Sequence, residues 1–437
     1  VLVLKLFEHG NGSAGTVTNR ITPIEKLPDI LRLGSWVALL VFIFLLPFKN
    51  LIGDWLSLPK TILLVVMTAD LLYRVRKRQW ISSPLDYPLW AYGIAIATSS
   101  ILSLNVHYSL KAILRTLLPI LIVYHSAWQQ LRYGRQIRHL AWSVILAAML
   151  VVLLSFVLSD IEGGRLEGIF TAPTRYGKYL DLVIPLTFSL LFFEKAWQIK
   201  ALLSMLAISE IISLLWTGTR GALVALSAIL LASVAFNRRL WPVLALCVIM
   251  AAGLLWTFSV NSPPYQRVTD IVFSPGKLIA EDQALQDRKG YYKSAWVMIK
   301  ERPFLGWGYG NHIANYISKS KNEAWFKEND VKPLPYHAHN LVLEILLEGG
   351  ILALAAALWI ALVLAGAGIK TLKNIRVLQE PLVLGFLAGL CALGIHCMIS
   401  VPQWANSLLA VVYIAAVMTH ACEGPNYTTQ SAKCSLL

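Results

Sequence analysis

The sequence predicts an all-α, polytopic integral membrane protein with about 12 transmembrane helices, and three observations carry that expectation. Hydrophobic residues make up 57% of the 437-residue chain and charged residues only 14%, against about 25% charged in an ordinary soluble domain. The apolar residues fall into a dozen runs, most near the roughly 20 residues a helix needs to cross a hydrocarbon core. Inside those runs Leu, Ala, Val and Ile follow one another without period-two alternation, which argues for helices and against a transmembrane barrel.

The first thirty residues are polar, so no cleavable signal peptide is expected and the first span begins near Leu31. The runs read as helices are approximately 31–48, 55–73, 87–104, 110–128, 140–158, 177–193, 201–217, 221–236, 241–260, 340–364, 382–398 and 401–418. The fourth contains Lys111 and Arg115, and Asp181 and Glu210 lie in the sixth and seventh. Pairing inside the bundle would neutralise these four groups, although sequence cannot say which meets which. Only one long polar segment interrupts the pattern. The chain therefore reads as a single membrane domain, 1–437, with one large loop, 261–339, between the ninth and tenth spans.

Basic residues orient the bundle. With the N-terminus inside, the inner loops hold Arg74, Arg76, Lys77 and Arg78, then Arg132, Arg135 and Arg138, then Lys195 and Lys200. Arg238 and Arg239 follow, then Lys370, Lys373 and Arg376, while the short outer loops are poor in Lys and Arg, as the positive-inside rule requires. The loop 261–339 then faces away from the cytoplasm. The net charge of +14 reads as a topology signal held against anionic membrane lipids, and no nucleic-acid partner is expected. Cys247, Cys391 and Cys397 fall in spans and Cys422 and Cys434 in the inner tail, so the loop holds no disulfide framework. The terminal Cys434-Ser435-Leu436-Leu437 matches a prenylation box only superficially.

The large loop should be folded. It carries twelve aromatics in 79 residues, whereas disordered linkers are aromatic-poor. Residues 288–302 place Tyr292, Ala295, Trp296 and Ile299 on one helical face, and Pro303 ends that helix. Gly306-Trp307-Gly308-Tyr309-Gly310 reads as a tight turn, since glycine tolerates backbone angles that other residues resist. As a phosphate cradle it is weak, because no Lys-Ser/Thr follows. Its Trp and Tyr suit either sugar stacking or an interfacial belt.

Arginines and histidines carry the chemistry. Thr217-Gly218-Thr219-Arg220-Gly221-Ala222 joins two apolar runs with almost no loop, so Arg220 is held at the outer membrane boundary. It either snorkels toward headgroups or offers a planar fork that grips a phosphate bidentately. Arg288 opens the loop helix and Arg165 lies in another outer loop, so three arginines from separate segments can converge on a pyrophosphate. His337 and His339 admit three readings: metal ligands, a structural cap before the span that starts at Asn340, or general acid/base work. The nearest acidic pairs, Asp160-Ile161-Glu162 and Glu328-Asn329-Asp330, are weak metal motifs, and neither metal nor cofactor is expected. Cations for an anionic leaving group and a histidine for a nucleophilic hydroxyl make a glycosyl-transfer constellation. A polysaccharide or lipid transporter is the alternative from another class, but such proteins usually show two related halves and mid-membrane polar sites. No internal repeat is evident here.

At these residues the chain resembles the O-antigen ligase and polymerase superfamily of bacterial envelope proteins. The resemblance rests on Arg165-Leu166-Glu167-Gly168-Ile169-Phe170, on Thr217 to Ala222, on Arg288 and its helix, on Arg302 to Gly310, and on His337-Ala338-His339-Asn340 leading into Leu343 to Gly350. One departure is Thr174, where relatives often carry Asn. The resemblance implies transfer of a polysaccharide from undecaprenyl pyrophosphate to a hydroxyl acceptor, lipid A-core for a ligase, at the periplasmic face of the inner membrane. Arg165, Arg220, Arg288 and His337 would bind substrate, with Arg220 and Arg288 on the pyrophosphate, and His339 would activate the acceptor without nucleotide sugar or metal. A single large loop between the ninth and tenth spans looks more like the ligases than the polymerases.

Overall fold

The computed structural model describes residues 23–53, 57–131, 134–158, 165–236, 283–311, 337–378, 382–402 and 404–422. Among the described residues the chain is helical and contains no strand. The helices are α1 (Pro23–Leu45), α2 (Ser57–Arg76), α3 (Asp86–Ile101), α4 (Val106–Gln130, with a π turn at Ile113–Leu117), α5 (Gly134–Leu158) and α6 (Pro173–Phe193). Then come α7 (Trp197–Thr217), α8 (Arg220–Phe236), α9 (Gln283–Glu301), α10 (Leu341–Leu378), α11 (Leu382–Cys397) and α12 (Trp404–Cys422).

Every expected span except 241–260 falls on one of these helices, and 241–260 lies outside the described residues. Seven of them are long and apolar enough to cross a membrane: α1, α4, α5, α6, α7, α10 and α12. Helices α8 and α11 contribute shorter apolar stretches, Arg220–Ile229 and Leu382–Cys397. Helix α2 carries Lys60, Asp70, Arg74 and Arg76, and α3 has only 16 residues, which is why neither joins the seven. The protein is an all-α polytopic membrane protein.

Polarity is distributed inside-out relative to a soluble bundle. Helix α6 contains Lys178, Asp181 and Thr187, yet every residue from Tyr176 to Leu190 is buried. Helix α10, almost purely apolar through its first thirty residues, exposes Ile351, Leu352, Leu358, Trp359 and Leu362. In a bilayer this is the lower-energy arrangement, because lipid accepts the apolar face and polar side chains turn inward to find partners. Helix α11 lies tightly on α6: a Cβ at Gly385 would meet Ser189 Cβ at 2.7 Å and one at Gly389 would meet the Leu182 carbonyl at 2.8 Å. The four-residue spacing of these glycines lets the two backbones approach.

The internal charges do not pair as a set of four. Asp181 bonds His396 and Glu210 accepts from Thr187 Oγ1 at 3.0 Å. Lys111 and Arg115 sit on the exposed side of α4 instead of inside the bundle. A second buried pair lies within α2, where Asp70 Oδ2 accepts from Arg74 Nε at 2.9 Å, and Gln130 Nε2 of α4 donates to the same oxygen at 3.1 Å.

Segments expected on the outer side meet one another. The 165–170 segment bonds the end of α7, the 306–311 turn bonds the end of α3, and Asn340 bonds the turn after α11. Segments expected inside do the same, as in the Arg32 Nη2 to Gln79 Oε1 bond of 2.7 Å.

A cationic, histidine-bearing site beneath the loop helix

The sequence builds the site around a kink. Helix α10 opens with Asn340 as its N-cap: the side-chain Oδ1 accepts from Val342 N at 2.9 Å and Leu343 N at 3.1 Å. Asparagine is among the strongest residues for this position because its oxygen satisfies amides that lack a helical partner. One turn in, Glu344 reaches back. Its Oε1 lies 2.6 Å from His337 Nδ1 and its Oε2 accepts from Ala338 N at 2.8 Å. The two contacts fold residues 337–340 so tightly that His339 adopts φ +53°, a left-handed conformation that costs a non-glycine residue about 1–2 kcal/mol. Strain of this kind persists only where the surroundings over-determine it, and it clusters at functional sites.

The loop helix covers this turn. The Tyr291 ring stacks on the His339 imidazole with centroids 5.7 Å apart and planes 23° from parallel, and Tyr292 Oη lies 3.4 Å from the His339 carbonyl. The packed face of α9 is Ser294, Ala295, Met298 and Ile299, whereas Trp296 is half exposed, with Lys300 Nζ 5.9 Å from its ring. The expected amphipathic helix is present, but Trp296 is not on its packed face. Alanine at 295 and methionine at 298 pack instead with Leu347 of α10 in one buried cluster. Helix α9 begins at Gln283, so Arg288 lies on its second turn and does not open it.

After Pro303 the chain docks on the α10 kink at Gly350, where φ is +64°. The kink leaves backbone groups unpaired, and the loop supplies their partners. Trp307 N donates to the Leu347 carbonyl at 2.7 Å, Gly308 N to the Glu348 carbonyl at 3.0 Å, and Ile351 N to the Pro303 carbonyl at 2.8 Å. Gly306, Gly308 and Gly310 all take positive φ, as the tight-turn reading requires. The Gly310 amide donates to Glu348 Oε1 at 2.9 Å, so these amides are occupied internally and the turn does not cradle a phosphate. Trp307 is buried, with its Nε1 on the Met298 carbonyl at 3.0 Å and the Arg302 guanidinium 4.6 Å from its ring. It serves as an anchor, not as a sugar platform.

Electrostatics draw together groups from four segments. Burial, first, and then the charges of Arg288, His337 and Lys178 hold the His339 imidazole below the ordinary histidine range, with Glu344 opposing them. Arg288 and Lys178 are therefore close enough for their charges to act on His339, and Arg175 and Asp181 lie within the field of Lys178. The Lys178 ammonium donates to Ser400 Oγ at 2.8 Å and to the Val401 carbonyl. Asp181, one turn further along α6, holds His396 Nδ1 at 2.6 Å, and both side chains are buried. A Cβ on Gly221 would lie 2.9 Å from His396 Nε2, which sets the Arg220 turn against this pair.

Arg220 is the first residue of α8, after Gly218 closes α7 in the left-handed conformation. Arg165 holds that same turn, its Nε on the Thr217 carbonyl at 2.8 Å and its Nη2 on the Gly218 carbonyl at 3.3 Å. His339 and His337 thus share one turn within reach of the Arg288 charge, and the turn that Arg165 holds before Arg220 packs against the His396–Asp181 pair. Lys178, His396 and Arg175 are additions to the sequence-level set. A lysine in an apolar run was a visible signal, whereas His396 reads as an ordinary span residue until its partner is seen. Among the described residues no three His, Cys, Asp or Glu side chains gather around one point.

Fold and site define an integral membrane protein with a cationic, histidine-bearing site at one end of its helices. The sequence pattern of the O-antigen ligase family matches residues 202–358, which span the Arg220 turn, α9 and the His339 turn. An O-antigen ligase of Salmonella typhimurium (strain LT2) is 21% identical over 360 residues, 78% of this chain and 85% of that protein. These likenesses support membership of the O-antigen ligase superfamily, glycosyltransferase-like membrane enzymes of lipopolysaccharide biosynthesis.

Proposed function

We propose that the protein is an O-antigen ligase. It transfers a polysaccharide from undecaprenyl pyrophosphate to a hydroxyl of lipid A-core at the periplasmic face of the inner membrane, with no metal ion. The observation that carries this reading is the seating of His339. Its half-buried ring is held in a strained turn, beneath α9 and beside Arg288, with its imidazole biased toward the neutral form. A neutral imidazole is what a general base needs.

In the reaction the acceptor oxygen attacks the anomeric carbon of the donor sugar as His339 takes the hydroxyl proton. The bond from that carbon to the phosphate oxygen breaks, and its electron pair leaves with the lipid pyrophosphate. Arg288 and Arg220 stabilise the negative charge that accumulates there, since a planar guanidinium matches two phosphate oxygens at once. Arg165 contributes by fixing the Arg220 turn and His337 lines the approach to His339. The proton on His339 passes to the departing phosphate or to water.

A polymerase of the same superfamily would use the same chemistry on a second lipid-linked glycan. The single large loop, 261–339, between the ninth and tenth expected spans favours the ligase. Purified protein given lipid-linked glycan and lipid A-core decides between them. Sugar on lipid A-core that survives EDTA supports the ligase. Lengthened undecaprenyl-linked glycan alone supports the polymerase, and no transfer despite movement of lipid across the bilayer would support a transporter.

A further inference from the structure

The buried lysine of α6 has no place in the reaction as written, yet it bonds the turn that holds the residue after His339. Lys178 is 3% exposed, and two of its three N–H donors are spent on Ser400 Oγ and the Val401 carbonyl. These belong to the turn that follows α11. The same turn accepts from Asn340 Nδ2 through the Met398 carbonyl at 2.9 Å. It also closes on the helix end, with Ile399 N and Ser400 N donating to the His396 carbonyl at 3.0 and 3.1 Å. Asn340 directly follows His339 in sequence.

We propose that Lys178 is a positioning residue for the general base: its ammonium fastens the 398–401 turn, the turn fastens Asn340, and Asn340 seats His339. This rests on the assignment of His339 as the base. An unpaired ammonium in a membrane bundle is expensive, and a chain that needed only to brace a turn could use a neutral donor. A cation at this point adds a second effect, since it disfavours protonation of His339. The other groups facing His339 are Arg288, Tyr291 and Tyr292 of α9, and His337 and Glu344 of its own segment and helix. Glu344 is the acid among them, and it is engaged by His337 and the Ala338 amide.

The test is glycan transfer by the full-length protein in lipid nanodiscs, measured across pH for Lys178→Met, Lys178→Arg, Ser400→Ala and His339→Ala. Lys178→Met should lower kcat about tenfold or more, because small displacements of a catalytic group are amplified in rate. Donor KM should stay near wild type. The acidic limb of the profile should move to higher pH by up to about one unit, because loss of the cation lets His339 hold its proton more readily. Lys178→Arg keeps the charge and should leave that limb in place. Ser400→Ala removes one anchor, so kcat should fall several-fold with the limb again in place.

A wild-type kcat in Lys178→Met, an unmoved limb, or a defect confined to donor KM overturns the proposal. If Lys178→Met fails to accumulate in the membrane, a wild-type kcat in Ser400→Ala does so instead. Turnover in His339→Ala overturns the base assignment itself. Loss there combined with normal behaviour in Lys178→Met removes only the role of Lys178.

Discussion

Two buried charged groups in this molecule are built on opposite plans. At the α2–α4 contact, Asp70 and Arg74 face each other at 2.9 Å with Gln130 beside them, so the cation is answered by a carboxylate within its own cluster. In the site below α9 the carboxylates are given to other partners: Asp181 to His396, and Glu344 to His337 and the Ala338 amide. Among the described residues no carboxylate forms an ion pair with Arg175, Lys178 or Arg288. Burying charge is costly unless it is compensated. The first cluster answers its cation from within, whereas in the second Lys178 rests on the 398–401 turn and, on the proposed function, Arg288 would meet the anion of the donor. On the topology expected from the sequence the two lie at opposite faces of the membrane, and the proposed function gives the first to stability and the second to substrate.

The largest effect that would break this contrast is at the proposed base. His339→Ala should lower transfer by about 10²–10⁴-fold while donor binding persists, the usual span for loss of general acid/base help. His337→Ala should be milder, because that ring is more than half exposed and its Nδ1 is committed to Glu344. In the wild type, activity should fall as pH drops and the imidazole charges. Because the folded His339 sits below the ordinary histidine value, that fall should be centred below about pH 6.5. A profile centred above neutrality would count against His339.

Next in size is Arg288, the cation that the proposed mechanism places on the departing pyrophosphate. Arg288→Ala should cost about 10²-fold or more in transfer, comparable with loss of one preorganised donor to a developing anion. Lysine at 288 should restore only part of it, since an ammonium lacks the bidentate fork. Stability should change little, because no buried carboxylate is left behind. Thermal unfolding beside the transfer assay separates the two. Wild-type transfer by a well-folded Arg288→Ala would remove it from the leaving-group role.

Asp70→Asn should behave in the reverse manner. Arg74 would be left buried without its counter-charge, at a cost of about 3 kcal/mol or more. Unfolding temperature should fall and transfer per folded molecule should not. A specific loss of turnover in Asp70→Asn would erase the division between a structural and a catalytic charge set.

The helices were legible because hydropathy is a local property: a run of twenty apolar residues announces itself whatever it packs against. The N-cap at Asn340, the glycine turn at 306–310 and the break after Glu301 were legible for the same reason, each following from the residue at the position concerned. What could not be read was pairing across segments. Asp181 and His396 are far apart in sequence and share a helix contact that only the assembled bundle creates. Trp296 misled because an indole satisfies a helical period as well as methionine does, yet it is Met298 that packs with Leu347 of α10. His339 and Arg288 stood out as candidates because each lies in a polar segment beside unusual neighbours. Lys178 shows the opposite case, a polar residue whose meaning depends on a turn more than two hundred residues away.

The smallest expected effect concerns Arg165, which lies between the two plans. It is an arginine expected at the substrate, yet two of its donors rest on the carbonyls of Thr217 and Gly218, where they satisfy the end of α7. A cation there also meets the negative end of that helix dipole favourably, an effect of about 0.3–1 kcal/mol. If its task is to fix the turn that presents Arg220, Arg165→Lys should retain most transfer, because an ammonium can still donate to both carbonyls. Arg165→Ala should lose about 1 kcal/mol of stability and several-fold in transfer, with Arg220→Ala far more damaging. Should Arg165→Lys instead fall as far as Arg288→Lys, the planar fork itself is required, and Arg165 belongs with the residues that touch pyrophosphate.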